Sequence, residues 1–124
     1  MKRFLLIMTA IVCLCGCEKI FTPMNVTLSS EGETVTVYTS IQPQTLDILN
    51  YNGDGVKIPE YDEETKTYTI TNDWLTASIS EESYENGEYE LILTAVKNTT
   101  GKSRTLYVGG MDKNHQDSMK VTQK

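Results

Sequence analysis

The stretch Tyr89-Glu90-Leu91-Ile92-Leu93-Thr94-Ala95-Val96 decides the fold class of this 124-residue chain. In an extended strand its odd-numbered residues lie on one face and its even-numbered residues on the other. This period of two, carried by apolar, aromatic and β-branched side chains, is typical of a half-buried β-strand. The same alternation recurs along the chain, at 26–28, 34–38, 67–71, 106–108 and 119–121. No stretch after residue 17 has the apolar stripe of a helix, so the sequence predicts an all-β domain.

Short polar segments that contain glycine separate these runs and predict the turns between strands. They are Ser30-Glu31-Gly32, Asn52-Gly53-Asp54-Gly55, Glu85-Asn86-Gly87, Asn98-Thr99-Thr100-Gly101 and Gly109-Gly110. Gly and Asn tolerate the positive φ that tight hairpins need. Seven or eight short strands with turns at this spacing predict an immunoglobulin-like β-sandwich, with a small β-barrel as the alternative.

The N-terminus has the three parts of a secretion signal. Lys2 and Arg3 supply positive charge, and an apolar run follows at 4–12. A helix needs about 20 apolar residues to span a bilayer, so this run is too short for a transmembrane anchor. The sequence therefore predicts a signal peptide over residues 1–16.

The segment Leu14-Cys15-Gly16-Cys17 resembles the bacterial lipobox, in which aliphatic and small residues precede a Cys that becomes lipid-modified. The resemblance implies lipidation of Cys17, a short tether over 17–24 and a folded domain over 25–124. It also implies a lipoprotein of the outer membrane in the cell envelope, and leaves open whether the periplasmic or the surface leaflet holds it. The alternative is an ordinary secreted protein that is cleaved elsewhere.

Charge and cysteine content exclude several classes of function. The net charge of the whole chain is −6, and loss of Lys2 and Arg3 with the signal makes it more negative. An acidic domain is a poor ligand for nucleic acid, since phosphate contacts dominate that affinity. The three cysteines are Cys13, Cys15 and Cys17, so the domain has no disulfide or thiolate metal site.

The second half of the chain resembles the BACON domain, an immunoglobulin-like module of Bacteroidetes secreted proteins. The matching pieces are Asp73-Trp74-Leu75-Thr76, the strand Leu91–Val96 with Lys97-Asn98-Thr99-Thr100, Ser103–Val108 and Met119–Gln123, with Glu33–Ser40 as an early strand. The resemblance implies an immunoglobulin-like fold, a link to carbohydrate and use as a non-catalytic module.

Trp74 is the one tryptophan, and two roles compete for it. Exposed aromatic rings pack against the C–H faces of sugars, but a sandwich of this size usually needs a large aromatic residue in its core. We expect Trp74 in the core. Four tyrosines in polar segments could form a shallow sugar platform, namely Tyr51, Tyr61, Tyr68 and Tyr84. If a glycan binds, we expect Tyr51, Tyr61 and Asp62 to contact it.

Other polar segments fit structural roles better than chemical ones. Asn50–Gly55 resembles the start of a calcium loop, but Tyr61 stands where the bidentate Glu is required, which favours a tight turn. The acidic run Glu60–Glu64 is expected to be a solvated loop. His115 is the only histidine and lies in a polar segment, so neither a catalytic triad nor a zinc site is expected. We expect no cofactor and no metal.

Asp117-Ser118-Met119 resembles the three-residue O-glycosylation acceptor of Bacteroidetes exported proteins, which implies modification of Ser118. Taken together, the sequence predicts a lipid-anchored, extracytoplasmic, non-catalytic binding or interaction module. Its expected partner, besides the membrane that holds its lipid, is a polysaccharide or a surface protein. The alternative is a structural subunit or scaffold piece of an outer-membrane assembly.

Overall fold

The computed structural model describes residues 19–124. The predicted signal peptide and the lipidation site at Cys17 lie outside the described residues. The strands are β1 (Phe21–Thr22), β2 (Asn25–Leu28), β3 (Glu33–Thr39), β4 (Asp47–Leu49), β5 (Gly55–Val56), β6 (Glu60–Asp62), β7 (Thr67–Asn72), β8 (Leu75–Ser80), β9 (Tyr89–Ala95), β10 (Arg104–Asp112) and β11 (His115–Gln123). Single turns of 3₁₀ helix span Pro43–Thr45 and Glu81–Ser83. Within residues 19–124, no helix has the length and apolar character needed to cross a membrane.

Two sheets enclose one core. The six-stranded sheet has the order β1-β3-β9-β8-β7-β6, and the five-stranded sheet has the order β2-β11-β10-β4-β5. Neighbouring strands are antiparallel, except that β2 runs parallel to β11. The all-β sandwich is therefore confirmed, as two separate sheets instead of a closed barrel. The described residues form eleven strands where seven or eight were expected, because several strands have only two or three residues.

The alternation in the sequence becomes the burial pattern of the central strands. In β9 the exposed residues Glu90, Ile92 and Thr94 alternate with three that are fully or almost fully buried. The buried side chains of both sheets form one apolar cluster, whose large members include Leu46, Ile48, Leu75, Ile79, Leu91, Leu93, Val108 and Met119. Trp74 belongs to it and is 4% exposed, which confirms its expected place in the core.

The folded domain begins earlier than the expected boundary at residue 25. Ile20 and Phe21 are buried in the core, and β1 pairs with the last residues of β3. The backbone N–H of Ser40 donates a 3.1 Å hydrogen bond to the carbonyl of Ile20. The apolar pair that we assigned to a tether therefore belongs to the sandwich, because burying it stabilises the first strand.

The predicted turn at Gly109-Gly110 is wrong, since both residues lie inside β10. Glycine occurs at these positions because there is no room for a side chain, and not because the backbone adopts a positive φ. A Cβ on Gly110 would stand 2.5 Å from Cδ1 of Ile41. The predicted turn at Glu85–Gly87 is confirmed, with Asn86 and Gly87 both at positive φ in a tight hairpin.

We call the end of the sandwich where the described chain begins the entry end, and the opposite one the distal end. The entry end carries the start of β1, the end of β3 and the β10–β11 turn, which are joined by a 2.8 Å hydrogen bond from Gln42 N–H to the carbonyl of Met111. The distal end carries the start of β10 and the C-terminus of the chain, where β11 ends.

Candidate functional site

Tyr61 and Tyr68 stack on each other at the free edge of the six-stranded sheet. They are paired across β6 and β7, and the register continues through Ile79 of β8 to Leu91 of β9. Side chains in one such row share a face, so both tyrosines lie on the side that faces the core. Their ring centroids are 4.5 Å apart with a tilt of 42°.

These two rings reach solvent because the opposite sheet ends before it covers them. Ile70, two residues further along β7, is buried, whereas Tyr68 is half-buried and Tyr61 is 44% exposed. The strands of the five-stranded sheet that lie on this side, β4 and β5, have only three and two residues. The uncovered part of the inner face is thus lined by aromatic rings.

Glu81 holds the hydroxyl group of Tyr61. The Oη of Tyr61 donates a 2.9 Å hydrogen bond to Oε1 of Glu81. This bond, with smaller contributions from desolvation and nearby acidic groups, raises the pKa of Tyr61 to about 12. The turn that carries Glu81 is fixed by Ser83, whose Oγ donates to the carbonyl of Ser80 and accepts from the N–H of Glu90.

A second tyrosine pair lies beside Glu81. The rings of Tyr84 and Tyr89 have centroids 4.8 Å apart and are tilted by 52°. Tyr89 packs partly against the core, whereas Tyr84 is 57% exposed. Desolvation raises the pKa of Tyr89, and the charges of Tyr84, Glu81 and Tyr68 raise it further, as expected for side chains that lie close together. We call these five residues, Tyr61, Tyr68, Glu81, Tyr84 and Tyr89, the tyrosine patch.

The tyrosine patch continues into a cavity of about 530 Å³ at the entry end. Tyr84 and Tyr89 form one wall, Gln42 and Gln44 of the β3–β4 connection form another, and Asp112 closes the site from the β10–β11 turn. We call this space the entry cavity. It combines aromatic rings with amide groups, the carboxylate of Asp112 and the ammonium group of Lys113, which is the composition of a site for a polar organic ligand.

Hydrogen bonds hold the polar wall of the entry cavity in place. Ser40 Oγ donates to Oδ2 of Asp112 at 2.7 Å. The N–H of Met111 donates to Oγ1 of Thr45 at 2.9 Å, so that the connection carrying both glutamines is tied to β10. These hydrogen bonds therefore hold the polar wall of the entry cavity in place without a ligand.

Of the three residues expected to contact a glycan, only Tyr61 belongs to the tyrosine patch. Tyr51 is 87% exposed at the tip of the β4–β5 hairpin, which belongs to the other sheet. Asp62 follows Tyr61 in β6, so its side chain leaves the opposite face. Its Oδ1 accepts hydrogen bonds from the N–H groups of Glu64 and Thr65 and stabilises the β6–β7 turn.

The remaining candidates lie apart from the tyrosine patch. Asn50 closes its own turn, since its Oδ1 accepts from the N–H groups of Asn52 and Asp54. This confirms the tight turn expected there. Ser118 is exposed in β11 opposite Gly109, and His115 is exposed at the start of the same strand. Within residues 19–124, no group of three acidic, histidine or cysteine side chains is placed to hold a metal ion.

Sequence reasoning missed Glu81 and Tyr89. Tyr89 shares its parity with the buried residues of β9, so the alternation marks it as core. Glu81 lies 20 residues from Tyr61 and carries no local signal. The turn signal at Asn86-Gly87 was available, and it folds Tyr84 back onto Tyr89.

The residues that carry the resemblance meet at the distal end. Arg104 lies over the Trp74 ring and donates to Gln123, whose own amide is fully buried. Asn98 Nδ2 donates to the carbonyls of Lys102 and Lys124. These residues brace the fold, and they stand at the opposite end from the entry cavity. In comparisons with protein-family models, curated proteins and solved structures, no match to this chain was found.

Proposed function

We propose that this protein is a non-catalytic carbohydrate-binding module, held in the outer membrane by a lipid on Cys17. The tyrosine patch is the observation that carries the proposal. Two tyrosine pairs, one of which is hydrogen-bonded to Glu81, leave aromatic rings exposed beside a polar cavity. Partly exposed rings with one apolar face and one polar tip suit ligands that are themselves amphipathic, as sugars are.

The dimensions and groups of the entry cavity fit one or two sugar rings. Its volume of about 530 Å³ lies within the usual range of small-ligand sites, roughly 300–1,000 Å³. The amides of Gln42 and Gln44 each offer donors and an acceptor, and the carboxylate of Asp112 accepts from ligand hydroxyls. Tyr84 and Tyr89 supply the stacking wall.

The place where the described chain begins bears on how far from the membrane the proposed ligand would be held. Ile20 is buried at the entry end, and only Glu18 and Lys19 separate it from Cys17. A residue spans at most about 3.6 Å, so the lipid is attached within roughly 10 Å of the buried Ile20. A lipid on Cys17 therefore brings the entry cavity close to the bilayer, and a long polysaccharide would enter from the side.

A glycan array tests the carbohydrate assignment. The probe is the chain from Glu18 to Lys124, which contains every strand of both sheets. We expect binding by the wild-type chain that is lost in Tyr61→Ala and in Tyr84→Ala. Tyr51→Ala and Tyr38→Ala remove exposed tyrosines outside the tyrosine patch and are expected to leave binding unchanged. Absence of signal on every glycan would reject the proposal.

Lipidation is tested by metabolic labelling with a fatty acid in cells that express the full chain. We expect label on the wild-type chain and none on Cys17→Ser, which should be recovered without membrane association. A labelled Cys17→Ser chain would contradict the anchor. The same preparations test the glycosylation of Ser118. The substitution Ser118→Ala by itself removes one oxygen atom, and we expect the intact mass to fall by more than that because the glycan is lost as well.

The alternative proposal is a structural subunit of an outer-membrane assembly. It is favoured by two apolar side chains that reach solvent, Val56 at the end of β5 and Ile58 in the connection to β6, the second of which is 81% exposed. Such apolar groups are candidates for burial against a partner. Crosslinking in intact cells followed by purification should yield a stoichiometric partner that is lost in Ile58→Ser, whereas recovery of a free monomer would contradict this alternative.

A further inference from the structure

We infer that the ligand of the tyrosine patch is an amino-sugar glycan with free, protonated amines. The inference rests on the proposed carbohydrate-binding function and names the class of glycan. It follows from how charge is distributed over the sandwich, combined with the open aromatic faces of the tyrosine patch.

Acidic side chains crowd the two segments that form the tyrosine patch. They are Glu60 and Asp62 in β6, Glu63 and Glu64 after it, Glu81, Glu82, Glu85 and Glu88 between β8 and β9, and Glu90 in β9. Of these, Glu60, Asp62 and Glu90 leave the outer face of the sheet, so the other six are the ones that lie in the turns beside the rings. Asp112 adds a carboxylate to the entry cavity, whose lining also contains Lys113, and Lys19 and Lys66 lie at the same end of the sandwich. Uronic acids and sulfated sugars would enter this region against electrostatic repulsion.

Positive charge lies mainly elsewhere. Lys97, Lys102, Arg104 and Lys124 lie at the distal end, together with the acidic residues Glu31, Glu33 and Asp73, and Lys97 pairs with Glu31 at 3.7 Å. A surface acidified only for solubility would carry its charges without regard to end. In this sandwich the charge is instead separated between the two ends, and the more acidic end is the one that carries the exposed tyrosines of the tyrosine patch.

The tyrosine patch offers an ammonium group two favourable contacts at once. A cation within about 6 Å of a tyrosine ring is attracted by the negative face of the ring. Oε1 of Glu81 accepts the hydrogen bond of Tyr61, and the charge of Glu81 also contributes to the raised pKa of Tyr89 in the second pair. An amine that docks on a ring face beside Glu81 therefore gains both a cation–π contact and an ion pair, whereas a neutral sugar gains stacking alone.

Two oligosaccharides that differ only in acetylation test the inference directly. Calorimetric titration of the Glu18–Lys124 chain compares a glucosamine hexamer with the N-acetylglucosamine hexamer, and a galacturonic acid hexamer serves as the anionic arm. We expect the glucosamine hexamer to bind about tenfold more tightly than its acetylated form, with an affinity that falls as salt rises. The galacturonic acid hexamer is expected not to bind.

Charge-matched variants locate the effect. Glu81→Gln is expected to remove most of the preference for the free amine, measured as the ratio of the two hexamers' affinities in the same variant. Glu31→Gln makes the same charge change at the distal end, and we expect wild-type preference in that variant. Urea unfolding of both variants shows whether they are folded, and Tyr61→Phe, which keeps the ring, provides a second variant if Glu81→Gln is not.

The outcomes separate the two proposals. Equal affinity for both hexamers, unchanged in Glu81→Gln, overturns the amino-sugar inference and leaves carbohydrate binding standing. Failure of every glycan to bind overturns both. A lysine hexapeptide that binds as tightly as the glucosamine hexamer, and loses affinity in Tyr61→Ala, overturns the assignment to a glycan in favour of a cationic protein partner.

Discussion

The guanidinium group of Arg104 lies over the indole ring of Trp74, with 4.9 Å between its Cζ and the ring centroid. Trp74 belongs to the turn between β7 and β8 of one sheet, and Arg104 opens β10 of the other. The contact therefore joins the two sheets at the distal end. Nε of Arg104 also donates a 2.8 Å hydrogen bond to Oε1 of the buried Gln123.

Arg104→Ala should lower the free energy of unfolding by about 1–3 kcal/mol, because it removes the cation–π contact and leaves Gln123 Oε1 without this donor. Urea unfolding measures the change. Lys102→Ala, which removes a nearby exposed cation, should change stability by no more than about 0.5 kcal/mol. Equal midpoints for the two variants would contradict a bracing role for Arg104.

Gln123→Leu should cost about 3 kcal/mol, although leucine is of similar size. Nε2 of Gln123 donates to the carbonyls of Ser29 at 2.9 Å and Val96 at 2.7 Å. Both bonds are part-buried, and a buried group that loses its partner carries a desolvation penalty of about 1–3 kcal/mol. The matched control is Gln116→Leu, at an exposed position of the same strand. Thermal unfolding of both variants compares them, and similar losses would refute the assignment.

Gly110→Ala should lower the free energy of unfolding by about 1–3 kcal/mol through overpacking. The new Cβ would stand 2.5 Å from Cδ1 and 3.1 Å from Cβ of Ile41, which is fully buried. Ile41→Val removes Cδ1, so the double variant should lose less than the sum of the two single losses. Strict additivity in urea unfolding would show that the two residues do not compete for space.

The hydrogen bond from Tyr61 to Glu81 predicts a late tyrosine ionisation. The pKa of Tyr61 is raised to about 12 from an ordinary value of 10.0. Between these values the folded chain holds a proton that the unfolded chain has lost. The stabilisation is complete below pH 10 and is lost as pH rises towards 12.

Ultraviolet titration of tyrosinate checks this ionisation. We expect the last step to disappear in Tyr61→Phe and to move to lower pH in Glu81→Gln. Tyr38→Phe alters a tyrosine of equal exposure outside the tyrosine patch and should leave the last step in place. A last step that is unmoved in Glu81→Gln would contradict the hydrogen bond as its cause.

The strands were predictable wherever one face is buried, as in β9, because a period of two then follows directly from burial on a pleated surface. The short strands β1, β5 and β6 were harder to predict, since two or three residues carry no period. Phe21 looked like part of a tether, and only its pairing partner Thr39 shows that it is in a strand. Gly109 and Gly110 looked like a turn because sequence shows the absence of a side chain without showing Ile41 or Asp47, which need the space.

The sequence by itself determined the fold class, the burial of Trp74 and most of the turns, because alternation and turn chemistry are local properties of the chain. The tertiary structure alone decided which tyrosines act together. It left Tyr51 on its own, paired Tyr61 with Tyr68, and placed Glu81 against a residue 20 positions away. These choices depend on strand register and on where the five-stranded sheet ends, and both are set by the packing of distant segments.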